Sequence, residues 1–395
     1  MDEHSTATPT LHWTENDAPM SARWRSEAGM PPPKRVVIAD DTLTADTAYR
    51  YACEGTAMLW RGDFQNARQL LQALVRRIER KPKKSAKAAK AGKTPKPHNP
   101  PASMTEAFHL HRQAQAQRAR TLAMLLLPLD ADYRIPLRRA PDVRQACEEA
   151  YGEAGAAGEA SVVSLREMLG LIGAHEWRKK GVEIPALGAR IHPHYGVFSP
   201  VRGEYIDLVA QAPLPSKTLA FDIGTGTGVL SAVLAKRGVA RIVATDQDHR
   251  ALACARDNIQ RLGVDGQVEL QKTDLFPAGR APLVVCNPPW LPARPSSPIE
   301  SAIYDPDSRM LRGFLNGLAE HLEERGEGWL ILSDFAEHLG LRSRDELLAW
   351  IDAAGLRVVA RIDTRPRHGK ASDDTDPLHV ARAAEVTSLW RLARP

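Results

Sequence analysis

Few folds accommodate the run Leu219-Ala220-Phe221-Asp222-Ile223-Gly224-Thr225-Gly226-Thr227-Gly228-Val229-Leu230-Ser231-Ala232-Val233-Leu234-Ala235. A short apolar segment reads as a buried strand, the glycines as a tight turn, and the apolar residues after them as a helix that starts without a gap. Glycine is needed in such a turn because the main chain must bend sharply and a ligand must approach backbone atoms that any side chain would shield. A dinucleotide fold wants Gly-x-Gly-x-x-Gly or Ala, and Val229 stands at that third position, which spoils the match.

The texture around this run is that of a parallel sheet with crossover helices. Beyond Lys180 the predicted strands are Thr218 to Ile223, Arg241 to Thr245, Gln267 to Gln271, Leu283 to Cys286, Trp329 to Ser333, Val358 to Ile362 and Val386 to Trp390. Helical patterns over Gly228 to Arg237, His249 to Leu262, Arg309 to Arg325 and Ser343 to Ala354 fall between them. The expected fold is therefore α/β: a seven-stranded, mostly parallel Rossmann-like sheet over residues 181–395, with a helical amino-terminal domain ahead of it.

Chemistry-bearing residues sit at the ends of these strands. Asp246 closes the second, where a carboxylate can accept hydrogen bonds from both hydroxyls of a ribose. The fourth strand runs directly into Asn287-Pro288-Pro289-Trp290, on the sheet edge where open α/β sheets bind ligands. An amide or exocyclic amine nitrogen is a weak nucleophile, since its lone pair is delocalised. If the Asn287 side-chain oxygen and the Pro288 carbonyl accept hydrogen bonds from such a group, the lone pair is freed and aimed. Pro289 stiffens the main chain, and the ring of Trp290 can stack on a planar target. Alone, Asn-Pro-Pro reads as a turn and each aspartate as an ordinary turn residue. Their order, each at a strand end after a glycine loop, argues against that.

Taken together, residues 195–335 resemble the class I S-adenosylmethionine-dependent methyltransferases of the Asn-Pro-Pro-aromatic type, in particular release-factor glutamine methyltransferases and small-domain methyltransferases that modify base amines. The resemblance implies S-adenosyl-L-methionine as cofactor. It implies that Asp222 faces the methionine part, that Gly224, Thr225, Gly226 and Gly228 form the loop around it, and that Asp246 holds the ribose. Asp274 then accepts from the adenine amine, with Leu275 as an apolar neighbour of the ring and Asn287 bordering both cofactor and acceptor. Phe198 and Pro200, in Tyr195-Gly196-Val197-Phe198-Ser199-Pro200, match the aromatic-x-proline corner that covers the cofactor in the glutamine-methylating type, with Glu204 a weaker match. Family members carry Tyr or Phe where this chain has Trp290. The segment Ile303 to Arg309 takes the place of a substrate-side loop but is poorer in glycine than its counterpart, so no residue there inherits a role.

Outside that region the chain is read from its residues alone. Residues 1–43 are polar and interrupted by proline, which predicts a disordered amino terminus. Residues 44–180 show three- and four-residue apolar spacing and predict a helical substrate-recognition region. A basic linker over 81–101 interrupts it, and the run Arg76 to Lys96, which overlaps that linker, suits either a solvated spacer or a nucleic-acid contact. The net charge of +5 and pI of about 9.0 owe most to it. Pro366 to Ser372 reads as a solvated hairpin loop. His109 and His111, two apart on a helical pattern, face different ways and suit exposed polar roles rather than a metal. Cys53, Cys147, Cys254 and Cys286 are scattered, which predicts reduced thiols and neither a disulfide framework nor a zinc site. No run reaches the about 18 apolar residues of a membrane span, and the first residues lack the pattern of a secretory signal, so the expected place is the cytoplasm without a membrane partner.

The expected activity is N-methylation of a planar amide or amine in a macromolecule, with a protein glutamine side chain, as in a release factor, as the first acceptor and an RNA or DNA base amine as the second. An inactive nucleic-acid-binding fold and a nicotinamide oxidoreductase are the contrasting classes. The intact set Asp222, Asp246, Asp274 and Asn287 to Trp290 argues against the former, Val229 against the latter.

Overall fold

The computed structural model of the chain describes residues 9–79, 101–154, 159–366, 373 and 375–395. The basic linker lies almost wholly outside the described residues, as do residues 1–8 and nearly all of the Pro366 to Ser372 loop. The chain divides into two compact units, residues 1–102 with 109–175, and residues 103–108 with 176–395.

The first unit overturns two expectations. Residues 1–43 contain strands β1 (Thr10–Glu15), β2 (Ala18–Arg25) and β3 (Arg35–Ala39). A hairpin joins β1 and β2 through Asn16 (φ 52°) and Asp17 (φ 59°), the left-handed pair that a two-residue turn between twisted strands requires. It is anchored by few apolar residues, Leu11 and Trp24 among them, which pack with Ala57, Leu59, Leu126 and Val162. A segment with so sparse an apolar face looks polar in composition.

Nor is the region 44–180 all helical. Helices α1 (Ala45–Cys53), α2 (Phe64–Glu79), α3 (Met104–Leu122), α4 (Arg144–Tyr151) and α5 (Leu165–Lys180) alternate with β4 (Thr56–Trp60), β5 (Leu125–Leu129) and β6 (Ser161–Ser164). The six strands form one mixed sheet in the order β1-β2-β6-β5-β4-β3. Every residue of β4 and β6 is buried. A strand covered on both faces loses its two-residue alternation, and a short continuous apolar run cannot be told from a buried helix by periodicity. That is why Met124-Leu125-Leu126-Leu127, which runs into β5, reads as a helix end and Pro128 as its terminator.

In the second unit a small hairpin of β7 (Val182–Ile184) and β8 (Ala189–Ile191) precedes helix α6 (Glu204–Gln211). The main sheet follows: β9 (Leu219–Ile223), α7 (Val229–Lys236), β10 (Arg241–Asp246), α8 (His249–Arg261), β11 (Val268–Lys272), β12 (Ala281–Cys286), α9 (Arg309–His321), β13 (Leu322–Ser333), α10 (Phe335–His338), α11 (Arg344–Ala353), β14 (Arg357–Thr364), α12 (His379–Ala384) and β15 (Thr387–Ala393). Its order is β11-β10-β9-β12-β13-β15-β14, a mixed sheet of seven strands in which β15 runs antiparallel to both neighbours. Strand β13 begins at Leu322, earlier than expected, because α9 ends at His321.

Two apolar layers cover this sheet. Alternation along the strands sends Ala220, Leu283, Val285 and Ile331 to the side of α6 and α7, and Phe221, Ile223, Val284 and Leu330 to the side of α9 and α11. Helix α7 is buried at seven of its eight positions, as expected of a helix that is apolar all round. Among the described residues no helix is long and apolar enough to cross a membrane. The four cysteines are free, and no group of three or more His, Cys, Asp or Glu among the described residues could hold a metal ion. His109 is exposed and His111 half-buried on α3.

Candidate active site

The carboxyl edge of β9, β10 and β12 gathers most of the residues singled out in the sequence. Asp222 is 1% exposed. Its Oδ2 accepts from the Thr225 hydroxyl (2.8 Å), the Ser231 hydroxyl (2.6 Å) and the Ser231 amide (3.2 Å). One carboxylate oxygen thus ties the glycine loop to the first turn of α7. Three donors converge on a single oxygen of a buried group, which gives Asp222 an internal structural role beside the one expected for it.

The loop is fastened on its other side by Thr245, whose carbonyl accepts from the amides of Gly224 and Thr225, both at 2.9 Å. The Thr245 hydroxyl donates to the Leu275 carbonyl at 2.6 Å. Asp246 accepts from the Gly226 amide at 3.1 Å through Oδ2 and from the Asp248 amide at 3.0 Å through Oδ1. Gly226 has φ 55°, and a Cβ built on it would meet nothing within 4 Å. An L side chain is strained there and the backbone faces open space, which is what a loop must offer a ligand that approaches its main chain. Gly228, with φ 79°, is the cap from which α7 starts.

Asp274 and Leu275 leave β11 toward α9. Leu275 holds φ 67°, and its Cδ1 lies 2.6 Å from where a Cβ on Gly313 would stand. The Asp274 Oδ2 is 2.6 Å from Arg309 Nη2, a partner that no sequence argument proposed.

Asn287 follows Cys286, which pairs with Ile223 in the parallel register of β12 and β9. The Asn-Pro-Pro-Trp turn and the glycine turn therefore leave adjacent strands at the same level. Pro288 is buried, and Pro289 and Trp290 half-buried. The indole N–H of Trp290 donates to Asn287 Oδ1 at 2.9 Å, and its ring packs against the apolar layers of both sheet faces. Trp290 was expected as a stacking platform. The structure adds a second contribution: a donor-only group fixes which end of the carboxamide is oxygen and engages one of its two lone pairs.

Phe198 is half-buried and Pro200 buried ahead of α6. Tyr205, in the first turn of α6, is buried, and its hydroxyl is pushed up by that burial and then by the Asp222 carboxylate. Asp305, which the sequence left without a role, is buried and accepts from the amides of Met310 (3.0 Å) and Leu311 (3.1 Å), so it caps α9. Its own amide donates to the Leu291 carbonyl at 2.8 Å, which ties the start of α9 to the residue after Trp290. The signal for it was an aspartate before proline just ahead of a helical pattern.

Burial raises the carboxyls of Asp222, Asp246, Asp305 and Glu385 above their ordinary values, with hydrogen bonds offsetting only part of the effect. A carboxyl whose folded value lies above its unfolded one contributes stability that is complete below the unfolded value and is lost as pH rises through the folded value. These four groups therefore add stability to the second unit as pH falls through their raised folded values, and Asp222→Asn is expected to remove part of that gain in denaturant titrations. At Glu327 burial raises the carboxyl, but donors from Arg391 and Trp329 more than offset it, so this group acts in the opposite sense at lower pH.

Residues 189–341 match the family described as the methyltransferase small domain. The chain is 34% identical over 126 residues to the ribosomal protein L11 methyltransferase of Tolumonas auensis, an alignment covering 31% of this chain and 43% of that protein. It is 30% identical over 179 residues to the release factor glutamine methyltransferase of Cereibacter sphaeroides, covering 42% of this chain and 61% of the relative. The chain thus spans between 43% and 61% of the length of these relatives.

Proposed function

We propose that this protein is an S-adenosylmethionine-dependent N-methyltransferase whose acceptor is a planar amide nitrogen in a protein, with a glutamine side chain as the first candidate. What carries the proposal is the register of Cys286 with Ile223, which brings Asn287 and the glycine loop out of neighbouring strands side by side. The match of residues 189–341 to the small-domain methyltransferases, and the relatives that bear the names of protein methyltransferases, support it. The seven-stranded sheet serves as a Rossmann-like platform, with ligands at its carboxyl edge.

The residues present suit the cofactor. Gly226 opens a main-chain cradle, and the half-buried Asp246 lies beside it with a carboxylate suited to ribose hydroxyls. Asp274 would accept from the adenine amine beside Leu275. Phe198 and Pro200 would close the methionine end, and Asp222 would hold the loop Gly224-Thr225-Gly226 in shape. When bound, S-adenosylmethionine supplies a methyl carbon on a positively charged sulfur.

The chain's own residues do the rest. Asn287 Oδ1, oriented by Trp290, accepts a hydrogen bond from the acceptor N–H, and the Pro288 carbonyl accepts the other. Pro289 keeps that carbonyl from wandering, and Trp290 offers its ring to the planar group. Methyl transfer would build positive charge on that nitrogen and acidify its proton, which would pass to water without a dedicated base. The reaction belongs in the cytoplasm, where protein acceptors of this kind are made.

A base amine in RNA is the second acceptor class, favoured by the basic run from Arg76 to Lys96. At the described end of that run, Arg77 is paired with Asp46 at 2.9 Å. Incubating the protein with methyl-labelled cofactor and a cell lysate separates the classes. The label is expected in material sensitive to protease and indifferent to ribonuclease. Label removed by ribonuclease alone would transfer the activity to RNA, and no label at all would end the enzymatic proposal.

A further inference from the structure

The first turn of α9 makes three contacts that converge on the candidate site. Arg309 Nη2 lies 2.6 Å from Asp274 Oδ2, and both side chains are more than half exposed, at 63% and 51%. Met310 stands over the glycine loop, its Cε 2.5 Å from where a Cβ on Gly224 would be. Asp305 joins this turn to Leu291, directly after Trp290. Immediately before α9 two successive residues that are not glycine, Asp307 (φ 56°) and Ser308 (φ 52°), hold left-handed backbone conformations. Such conformations are disfavoured for side-chain-bearing residues and persist where surrounding contacts hold them.

We infer that Arg309 is an additional residue of the cofactor site, one that clasps the Asp274 carboxylate until the adenine amine displaces it. The inference rests on the proposed function, in which Asp274 receives that amine. A guanidinium and an exocyclic amine are both donors, and they seek the same acceptor. Arg309 competes from within the chain, at the end of a turn whose residues Asp307 and Ser308 hold disfavoured backbone conformations. Because the ion pair is solvent-exposed, its strength is modest and screened by salt. The donor site is thereby tuned to bind less tightly than its own groups would permit.

Calorimetric titration of the full chain with S-adenosylhomocysteine tests this without any acceptor. At low salt Arg309→Ala is expected to bind about two- to fivefold more tightly than the unaltered protein. Added sodium chloride should tighten binding by the unaltered chain and leave Arg309→Ala nearly unchanged, so that the two converge. In an Asp274→Ala background, Arg309→Ala should bring no gain. Equal or weaker binding by Arg309→Ala at low salt would overturn the competitor while leaving the methyltransferase proposal intact. Absence of binding in every variant would sink both.

Discussion

Asn287→Ala is expected to lower methyl transfer by about two to three orders of magnitude while affinity for S-adenosylhomocysteine stays within about tenfold. The carboxamide leaves β12 beside the glycine turn, and Trp290 holds its oxygen in place. Removing it deprives the acceptor nitrogen of an oriented hydrogen-bond partner but leaves Asp246 and the loop Gly224 to Gly228 in place. Trp290→Phe keeps an aromatic ring, smaller than the indole, and removes the N–H, so the carboxamide can turn over and present its amino end. In the Asn287→Ala background that same change should cost little more, because the group it orients is gone. Labelled-methyl incorporation into the protein fraction, set beside calorimetry, checks both. A large loss of cofactor affinity in Asn287→Ala, or full additivity of the pair, would contradict the assigned roles.

The second large effect belongs to Asp222→Ala. It removes the acceptor shared by the Thr225 hydroxyl and by the amide and hydroxyl of Ser231, in a place that is 1% exposed. Stranding buried donors costs about 1–3 kcal/mol each, so a loss of about 3 kcal/mol in folding stability is expected in denaturant titrations. The loop it shapes should lose its geometry as well, with affinity for S-adenosylhomocysteine falling about tenfold or more. Asp222→Asn keeps an acceptor oxygen and should recover part of both. Unchanged stability in Asp222→Ala would mean that the glycine loop holds its shape by other means.

The legible parts of the sequence were those where local chemistry and tertiary role coincide. All seven strands of the second sheet could be read because each apolar run is set apart by a helix or a turn signal, and their ends place Asp246 and Asn287 on one edge. The first unit defeated the same method. Buried on every residue, β4 and β6 offer no alternation, and the hairpin of β1 and β2 has too thin an apolar face to announce itself in composition. Partnerships across long separations were also invisible. Arg309 reaches Asp274 and Thr245 reaches Leu275 only after folding, and nothing in the spacing of an arginine or a threonine names its partner. At Trp290 the sequence displays a flat ring but does not disclose that the indole N–H finds its acceptor three residues back.

Thr245, fully buried, grips the glycine loop with its carbonyl and the Leu275 turn with its hydroxyl. A single residue thus welds the glycine turn to the Leu275 turn, while the stretch from Leu291 to Asp305 is closed on itself by the pairing of Leu291 with Tyr304. Under the proposed function, substitutions in that self-closed stretch would leave the two welded turns in register, so the acceptor side could vary while the cofactor side keeps its shape.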